Sequence, residues 1–411
     1  MDYQKTDYIK AIDLGTRSPE KQNPKASGHY PPMKIGIEAQ RIFRPKKHGM
    51  DIVALELIRH LQQIDTYNQY YIFVKPDVDD ACIPQADNFE IVTVSGQTYL
   101  DWEQIYLPQA IKRTGVELVH FTSNTAPMRC AVPKIITLHD VIFMEKMPLK
   151  GTNYQKLGWA YRRWVVPKVI NHCEQIITVS HYEKAQILNK FPQLKTKLSV
   201  VHNGVAASFE EFKLADYQPL HKKIKPKQFL FFLGNEAPKK NMQNVLLGYA
   251  QYVENHHTPL PLVIAETVPK QLRDWLTKLH LNWLAEYIVL PCYIPNQQIA
   301  QWYNQAAAFL YPSLRESFGL PILEAMACGT PVITSNTSAM PEVARGAALL
   351  VDPTQSNEIA QAIYKITNDQ ALAADLREKG LVNSQQFTWT HHAQKVQETY
   401  KALVRSEHSN I

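Results

Sequence analysis

The chain has 411 residues, 45% of them hydrophobic and 20% charged, and carries a formal net charge of +6. That length exceeds what one core usually serves, so two domains are expected, and no apolar run approaches the ~20 residues that cross a bilayer. Five scattered cysteines (Cys82, Cys130, Cys173, Cys292, Cys328), with no paired spacing, argue against a disulfide framework or a cysteine zinc site, and the modest positive charge suits an anionic substrate or membrane surface without calling for nucleic acid.

Residues 1–32 are polar, rich in Lys, Pro, Ser and Asn, and lack the apolar core of a signal peptide. They read as a disordered tail. From Met33 short apolar runs alternate with helical stretches. Strands are predicted at 34–38, 70–75, 89–94, 118–121, 135–139, 175–179 and 198–202, with a helix at 51–63 where Ile52, Leu55, Ile58 and Leu61 share a face. Such alternation predicts a parallel sheet covered by helices, with ligands at the C-terminal strand ends.

Several loops of this first half draw attention. After the first strand, the basic loop 41–50 opens onto a helix at Gly49; it reads either as an anion site or as a solvated loop. His139-Asp140 follows a strand, where an α/β active site lies. Asp140 either orients His139 or caps the next segment. Asp77-Val-Asp79-Asp80 reads as a polar loop and not a metal site. The stretch 146–168 mixes Lys and Arg with Trp and Tyr and holds no acid. It is either a membrane-interface or sugar-stacking element or an amphipathic helix with its aromatics in the core. Ser180, with Glu183 three residues on, predicts a capping box. Asn203-Gly204 reads as a turn.

Residues 216–228 lack periodicity and form the expected linker. A second set of strands is predicted at 229–233, 262–265, 287–290, 308–311, 331–334 and 348–351. Gly234 and Asn235 follow the first of these, and Lys239 and Lys240 open the next helix, a fit place for a diphosphate or a pair of surface lysines. The strand 308–311 leads into Arg315-Glu316-Ser-Phe318-Gly319-Leu320-Pro321. A helix follows, with Pro321 in its first turn and Glu324 one turn in. Free amides beside two carboxylates suit a ligand with both phosphates and hydroxyls, such as a nucleotide sugar, although two surface acids on a strand–loop–helix read the same way.

The whole stretch from Glu316 through Glu324-Ala-Met-Ala-Cys-Gly-Thr-Pro-Val332 resembles the signature of the retaining family 4 glycosyltransferases (glycosyl transferases group 1) of GT-B fold. The resemblance extends over about residues 33–405. It implies an α/β fold of two Rossmann-like domains across a cleft: 33–215 on the acceptor side, 216–389 on the nucleotide-sugar donor side, and a terminal helix at about 390–411 packing back on the first. It implies that Glu316 lies by the donor sugar, that Glu324 binds the ribose, and that the amides of Phe318, Gly319 and Leu320 meet sugar and diphosphate. His139 would point toward the donor sugar or the reaction centre, and Lys240, with Lys239 as second cation, would meet the diphosphate. Relatives carry Arg where Asn235 stands, and a Gly-rich loop where only Gly49 stands. Tyr293, in Pro291-Cys-Tyr293-Ile-Pro, falls in the loop that holds the donor base.

The resemblance further implies a metal-independent hexosyltransferase with front-face departure and attack and no cofactor besides the nucleotide-sugar donor, GDP- or UDP-linked. GDP-mannose is the best guess. The acceptor would be a glycan or lipid-linked, and membrane contact would run through 146–168. The expected location is the cytoplasm, including the inner face of the plasma membrane. Other readings are a nucleotide-sugar 2-epimerase of the same architecture and a non-catalytic sugar-nucleotide-binding subunit.

Overall fold

The computed structural model describes residues 31–145, 153–235, 237–292 and 294–408. The disordered-tail expectation (nearly all of 1–32), Tyr293 and residues 146–152 of the aromatic-basic stretch lie outside the described residues.

The apolar runs become strands, the central ones buried on both faces as in a helix-covered parallel sheet and the edge ones partly exposed. Seven come from the first half: β1 Lys34–Glu38, β2 Gln69–Val74, β3 Phe89–Thr93, β4 Leu118–Phe121, β5 Lys134–Thr137, β6 Gln175–Thr178 and β7 Leu198–Val200. Six come from the second: β8 Leu230–Leu233, β9 Leu262–Ala265, β10 Ile288–Cys292, β11 Ala308–Tyr311, β12 Val332–Ser335 and β13 Leu349–Val351. The sheet orders are β3-β2-β1-β4-β5-β6-β7 and β10-β9-β8-β11-β12-β13, every named strand pair being parallel.

These orders fix where a ligand can go. Strand order reverses between β1 and β4 in the first sheet and between β8 and β11 in the second. At such points the flanking loops leave in opposite directions and open a crevice at the C-terminal strand ends. The loop after β8 carries Gly234 to Lys240, and the loop after β11 carries Arg315 to Gly319.

The final helix, Trp389–His408, returns to the first sheet. Ala393, Val396 and Tyr400 are buried with Ile35, Ile37 and Leu61. Tyr400 and Gln397 bond His120 and Asp65, at 2.8 and 2.7 Å. Gly204 serves this return, not the turn its sequence suggested: a Cβ there would lie 2.2 Å from the Trp389 amide nitrogen. Side-chain volume at 204 would displace the entry of the last helix.

Candidate active site

The second sheet's crevice gathers the charged groups. Asn241 takes a left-handed backbone (φ 62°) and donates to the carbonyls of Pro312 and Pro353, at 2.9 and 2.6 Å. This ties the lysine turn to the loop after β11. The Leu314 amide donates to the Lys239 carbonyl at 2.8 Å, fastening the same two loops again. Lys239 and Lys240 thereby converge on one carboxylate: their Nζ atoms lie 3.0 Å from Glu316 Oε2 and Oε1. Lys240 also donates to the Tyr311 hydroxyl at 2.9 Å. It is the more enclosed of the two, its side chain 15% exposed against 45% for Lys239. Burial raises the Glu316 carboxyl pKa, but the Lys240 and Lys239 ammoniums outweigh it and hold the group below the usual carboxylate value. Glu316 is therefore ionised, and its amide donates to Ser338 Oγ at 3.1 Å.

Beside this trio starts the helix Leu320–Ala327, with Gly319 as its N-cap. Gly319 has φ 106°, which other residues rarely adopt, and a Cβ would also meet Ile322 at 3.1 Å. The helix start thus offers amides and a positive dipole end next to two cations. Leu320 opens the helix and is half-buried, whereas Phe318 is buried against Phe387 and His202. The Phe318 side chain anchors the loop, leaving its backbone to face a ligand. Glu324 accepts from the Tyr303 hydroxyl at 3.0 Å. Burial pushes its pKa up to about 7, against the opposing pull of Tyr303 and Lys240.

Gly234 directly follows β8 in this crevice. Asn235 supplies no charge there: it donates to Glu266 at 3.1 Å and accepts the Ala237 amide at 3.0 Å, shaping the turn that delivers Lys239 and Lys240.

The first sheet's crevice is of another character. His139 is buried, its Nε2–H donating to the Thr122 carbonyl at 2.9 Å, which leaves Nδ1 as the acceptor of a neutral ring. Burial keeps its pKa below the usual imidazole value. Asp140 accepts the Ile142 amide at 3.1 Å, so it caps the next segment and does not orient His139. Glu38, at the end of β1, accepts the amides of Gln40 and Thr122 at 3.0 and 3.2 Å, and burial raises its pKa. Glu103 is a second buried acid with a raised pKa, accepting from Tyr99 at 2.8 Å, Tyr161 at 2.5 Å and Thr125.

Gly49 begins the helix Gly49–Ile64 and is exposed, in a backbone that does not require glycine. The loop before it is largely neutralised. Arg41 pairs with Asp51 at 3.3 Å, Lys47 pairs with Asp79, and Asp51 takes the His48 amide at 3.0 Å. Gly49 and His139 thus stand on the first sheet, apart from the lysine–glutamate group.

Contacts across the cleft hold the two halves. Ser180 Oγ accepts the Glu183 amide at 3.1 Å and donates to the Ser317 carbonyl at 2.7 Å. The capping box is therefore only half made. The Glu183 carboxylate turns inward instead, with Arg315 Nη2 3.6 Å away, while Arg315 also pairs with Glu145. Burial, reinforced by the Asp140 charge, pushes the Glu183 pKa up to about 8. Glu342 accepts the amides of His181 and Tyr182 at 2.9 and 3.1 Å and contacts His202 Nε2 at 2.6 Å.

The aromatic-basic stretch forms the helix Asn153–Asn171, and it divides its aromatics. Tyr161 bonds Glu103 and Trp159 packs on the core, while Trp164 is exposed beneath Lys168, 3.9 Å from its ring centre. Sequence reasoning missed the groups that act through others: Tyr303 on Glu324, Tyr311 on Lys240, Ser338 on Glu316, and the acids Glu38 and Glu103. Their signal is position at a strand end or on a covering helix, which becomes readable only once strand order is known.

The comparisons agree with this architecture. A family model described as Glycosyltransferase Family 4 matches residues 48–209, and one described as Glycosyl transferases group 1 matches residues 216–382. The chain is 27% identical over 242 residues to O-antigen chain mannosyltransferase B of Escherichia coli, covering 57% of this chain and 62% of that protein. The chain thus spans less than two-thirds of the length of this relative. Among solved structures, sucrose-phosphate synthase from Thermosynechococcus elongatus matches at TM-score 0.70, 18% identity, over 91% of this chain and 100% of that one. Anabaena HepE in complex with UDP and glucose matches at TM-score 0.65, 18% identity, over 90% and 100%. With the two family models covering both halves around these paired crevices, the chain belongs to the family 4-like glycosyltransferases of GT-B fold.

Proposed function

We propose that this protein is a retaining mannosyltransferase that moves mannose from GDP-mannose to a glycan or lipid-linked acceptor in surface polysaccharide synthesis, with no divalent metal in its donor site. The observation that carries the reading is the convergence of Lys239 and Lys240 on Glu316 beside the Gly319 helix start. A donor diphosphate would take over the two ammoniums and the helix amides, aimed where leaving-group charge develops. Glu316, released from the lysines, would accept from sugar hydroxyls, and Glu324 from the ribose. The acceptor hydroxyl attacks on the face from which the diphosphate departs and gives its proton to the leaving phosphate. His139, with Nδ1 open as an acceptor, would face the donor sugar or the reaction centre, and Gly49 would stand by the donor phosphates or the acceptor.

Mannose is favoured by the similarity to an O-antigen chain mannosyltransferase. A UDP-sugar donor is the second reading, because the HepE neighbour was solved with UDP and glucose. Contact with an anionic membrane, at the inner face of the plasma membrane, would run through the helix Asn153–Asn171. There Leu157 and Trp164 are exposed beside Arg163 and Lys168. Among the described residues no helix is long and apolar enough to cross a membrane.

The test is GDP release from GDP-mannose with and without a mannan-type acceptor, with the anomeric configuration of the product read by NMR. Acceptor-dependent release with an α product supports the reading. Inversion at the anomeric carbon, C2 epimerisation without acceptor, or turnover of UDP-sugars alone would each replace it.

A further inference from the structure

We propose that His181, His202 and Glu342 form a divalent transition-metal site of the Zn(II), Co(II) and Ni(II) class that clamps the two halves of the protein. One ligand atom from each residue lies within 4.8 Å of the other two. The site is separate from the donor crevice and stands whether or not the donor reading holds.

Three features build it. His202 follows β7 and His181 opens the helix His181–Lys190, both in the first half, whereas Glu342 comes from the helix Met340–Ala344 of the second. Two imidazoles and a carboxylate are a borderline donor set, which suits Zn(II), Co(II) or Ni(II) and disfavours Mg(II) and Ca(II). Second, the ligands are already oriented. The Glu342 carboxylate is fixed by the amides of His181 and Tyr182, and the His202 ring is wedged against Phe318 and Phe387, with centroids 6.0 and 5.6 Å away. Such outer contacts set ligand direction in metal sites. Third, the donor atoms already meet. His202 Nε2 and Glu342 Oε1 lie 2.6 Å apart, a hydrogen bond whose proton an ion would replace as the two atoms move apart to about 3.4 Å, the spacing of donors held about 2.1 Å from a tetrahedral ion. The His181 and His202 rings meet edge-on at 5.7 Å between centroids, and exposed His181 is free to turn inward. An ion bound about 2.0–2.2 Å from each donor would complete its shell with water on the His181 side.

An ion there would tie β7 and the His181 helix to the strand–helix unit that carries Glu342, next to the Ser180–Ser317 bond. Metal binding would therefore stiffen the cleft edge.

The test uses the full chain without a histidine tag. Zn(II) binding is measured by calorimetry and Co(II) binding by its visible d–d absorption, for the wild type, His181→Ala and His202→Ala, with circular dichroism to check folding. His181→Ala removes an exposed ring and leaves the backbone amide that caps onto Glu342. One Zn(II) per chain, a tetrahedral or five-coordinate Co(II) spectrum, a rise in Tm with Zn(II), and an affinity loss of ~100-fold in His181→Ala are expected, given that even outer-shell changes cost ~10–100-fold. Mg(II) should give no response. Equal Zn(II) affinity in the wild type and His181→Ala, or no binding at millimolar Zn(II), would overturn the proposal.

Discussion

The two crevices are built alike and charged differently. Both open at the reversal of strand order in a parallel sheet. At the second, Glu316 is held ionised by two ammoniums, and a helix start adds dipole and amides. At the first, burial drives Glu38, Glu103 and Glu183 upward and His139 downward, each toward its neutral form, whereas Glu342 at the cleft edge is held low, against burial, by hydrogen bonds from His202 and from the His181 and Tyr182 amides. A crevice that keeps fixed charge is suited to a charged ligand such as a diphosphate. One that discharges its acids and its imidazole is suited to hydroxyls. On the proposed reading, the same fold would separate a donor side from an acceptor side by the surroundings of its ionisable groups.

The contrast breaks most severely at Glu316. Glu316→Ala leaves Lys239 and Lys240 unopposed, and a loss of transfer of about 10²–10³-fold is expected, the scale for deleting one preorganised electrostatic group. Circular dichroism should show the fold retained; undiminished turnover in a donor-saturated assay would remove Glu316 from the chemistry. Lys240→Ala should come next, about 10²-fold in kcat, with Lys239→Ala nearer ~10-fold because its side chain is far more exposed and water screens its charge. Steady-state kinetics of both variants rank the two cations, and the reverse order would mean that the outer lysine carries the diphosphate.

Glu324 sharpens the comparison, because it lies at the second crevice yet is pushed up to about 7. If its carboxylate accepts from the ribose, nucleotide affinity should rise several-fold as pH increases through about 7, beyond the ligand's own titration. Glu324→Gln should flatten that excess in a binding profile from pH 5.5 to 8.5. A wild-type profile matching the variant's would leave Glu324 without that role.

The smallest expected effect lies at the cleft edge. Glu183 holds its proton up to about 8 when folded and only to the ordinary carboxylate value when unfolded. Between those values the native state binds more protons, so this group's contribution is full at low pH and is lost as pH rises through about 8. Tm of the wild type should therefore decline from pH 5 to pH 9 more steeply than that of Glu183→Gln. Parallel curves would mean that Arg315 already keeps Glu183 ionised.

Much of this was readable before any fold was known. The strands at 34–38, 118–121, 262–265 and 308–311 appear with the same bounds in the structure, because short apolar runs between polar breaks have one stable home, the interior of a parallel sheet. The grouping of Lys239, Lys240, Glu316 and Gly319 at the second crevice is legible because each sits in a loop beside a strand, where local spacing carries the information. What was not legible depends on distant chain. Tyr303 reaches Glu324, and Ser180 reaches Ser317, through the packing of elements that sequence does not order. Glu183 shows the limit most clearly: its spacing from Ser180 fits a cap, yet its carboxyl is buried facing Arg315, 132 residues away in the other half. Gly204 likewise answers to Trp389, not to its neighbour Asn203.

The most direct measurement is calorimetric titration of the protein with GDP, UDP and ADP, with EDTA present throughout. The account predicts that GDP binds without metal, that UDP and ADP bind more weakly, and that Lys240→Ala abolishes the GDP signal. Binding of no diphosphate, or binding that appears only when a divalent ion replaces EDTA, would contradict a donor site built on Lys239, Lys240 and the Gly319 helix start.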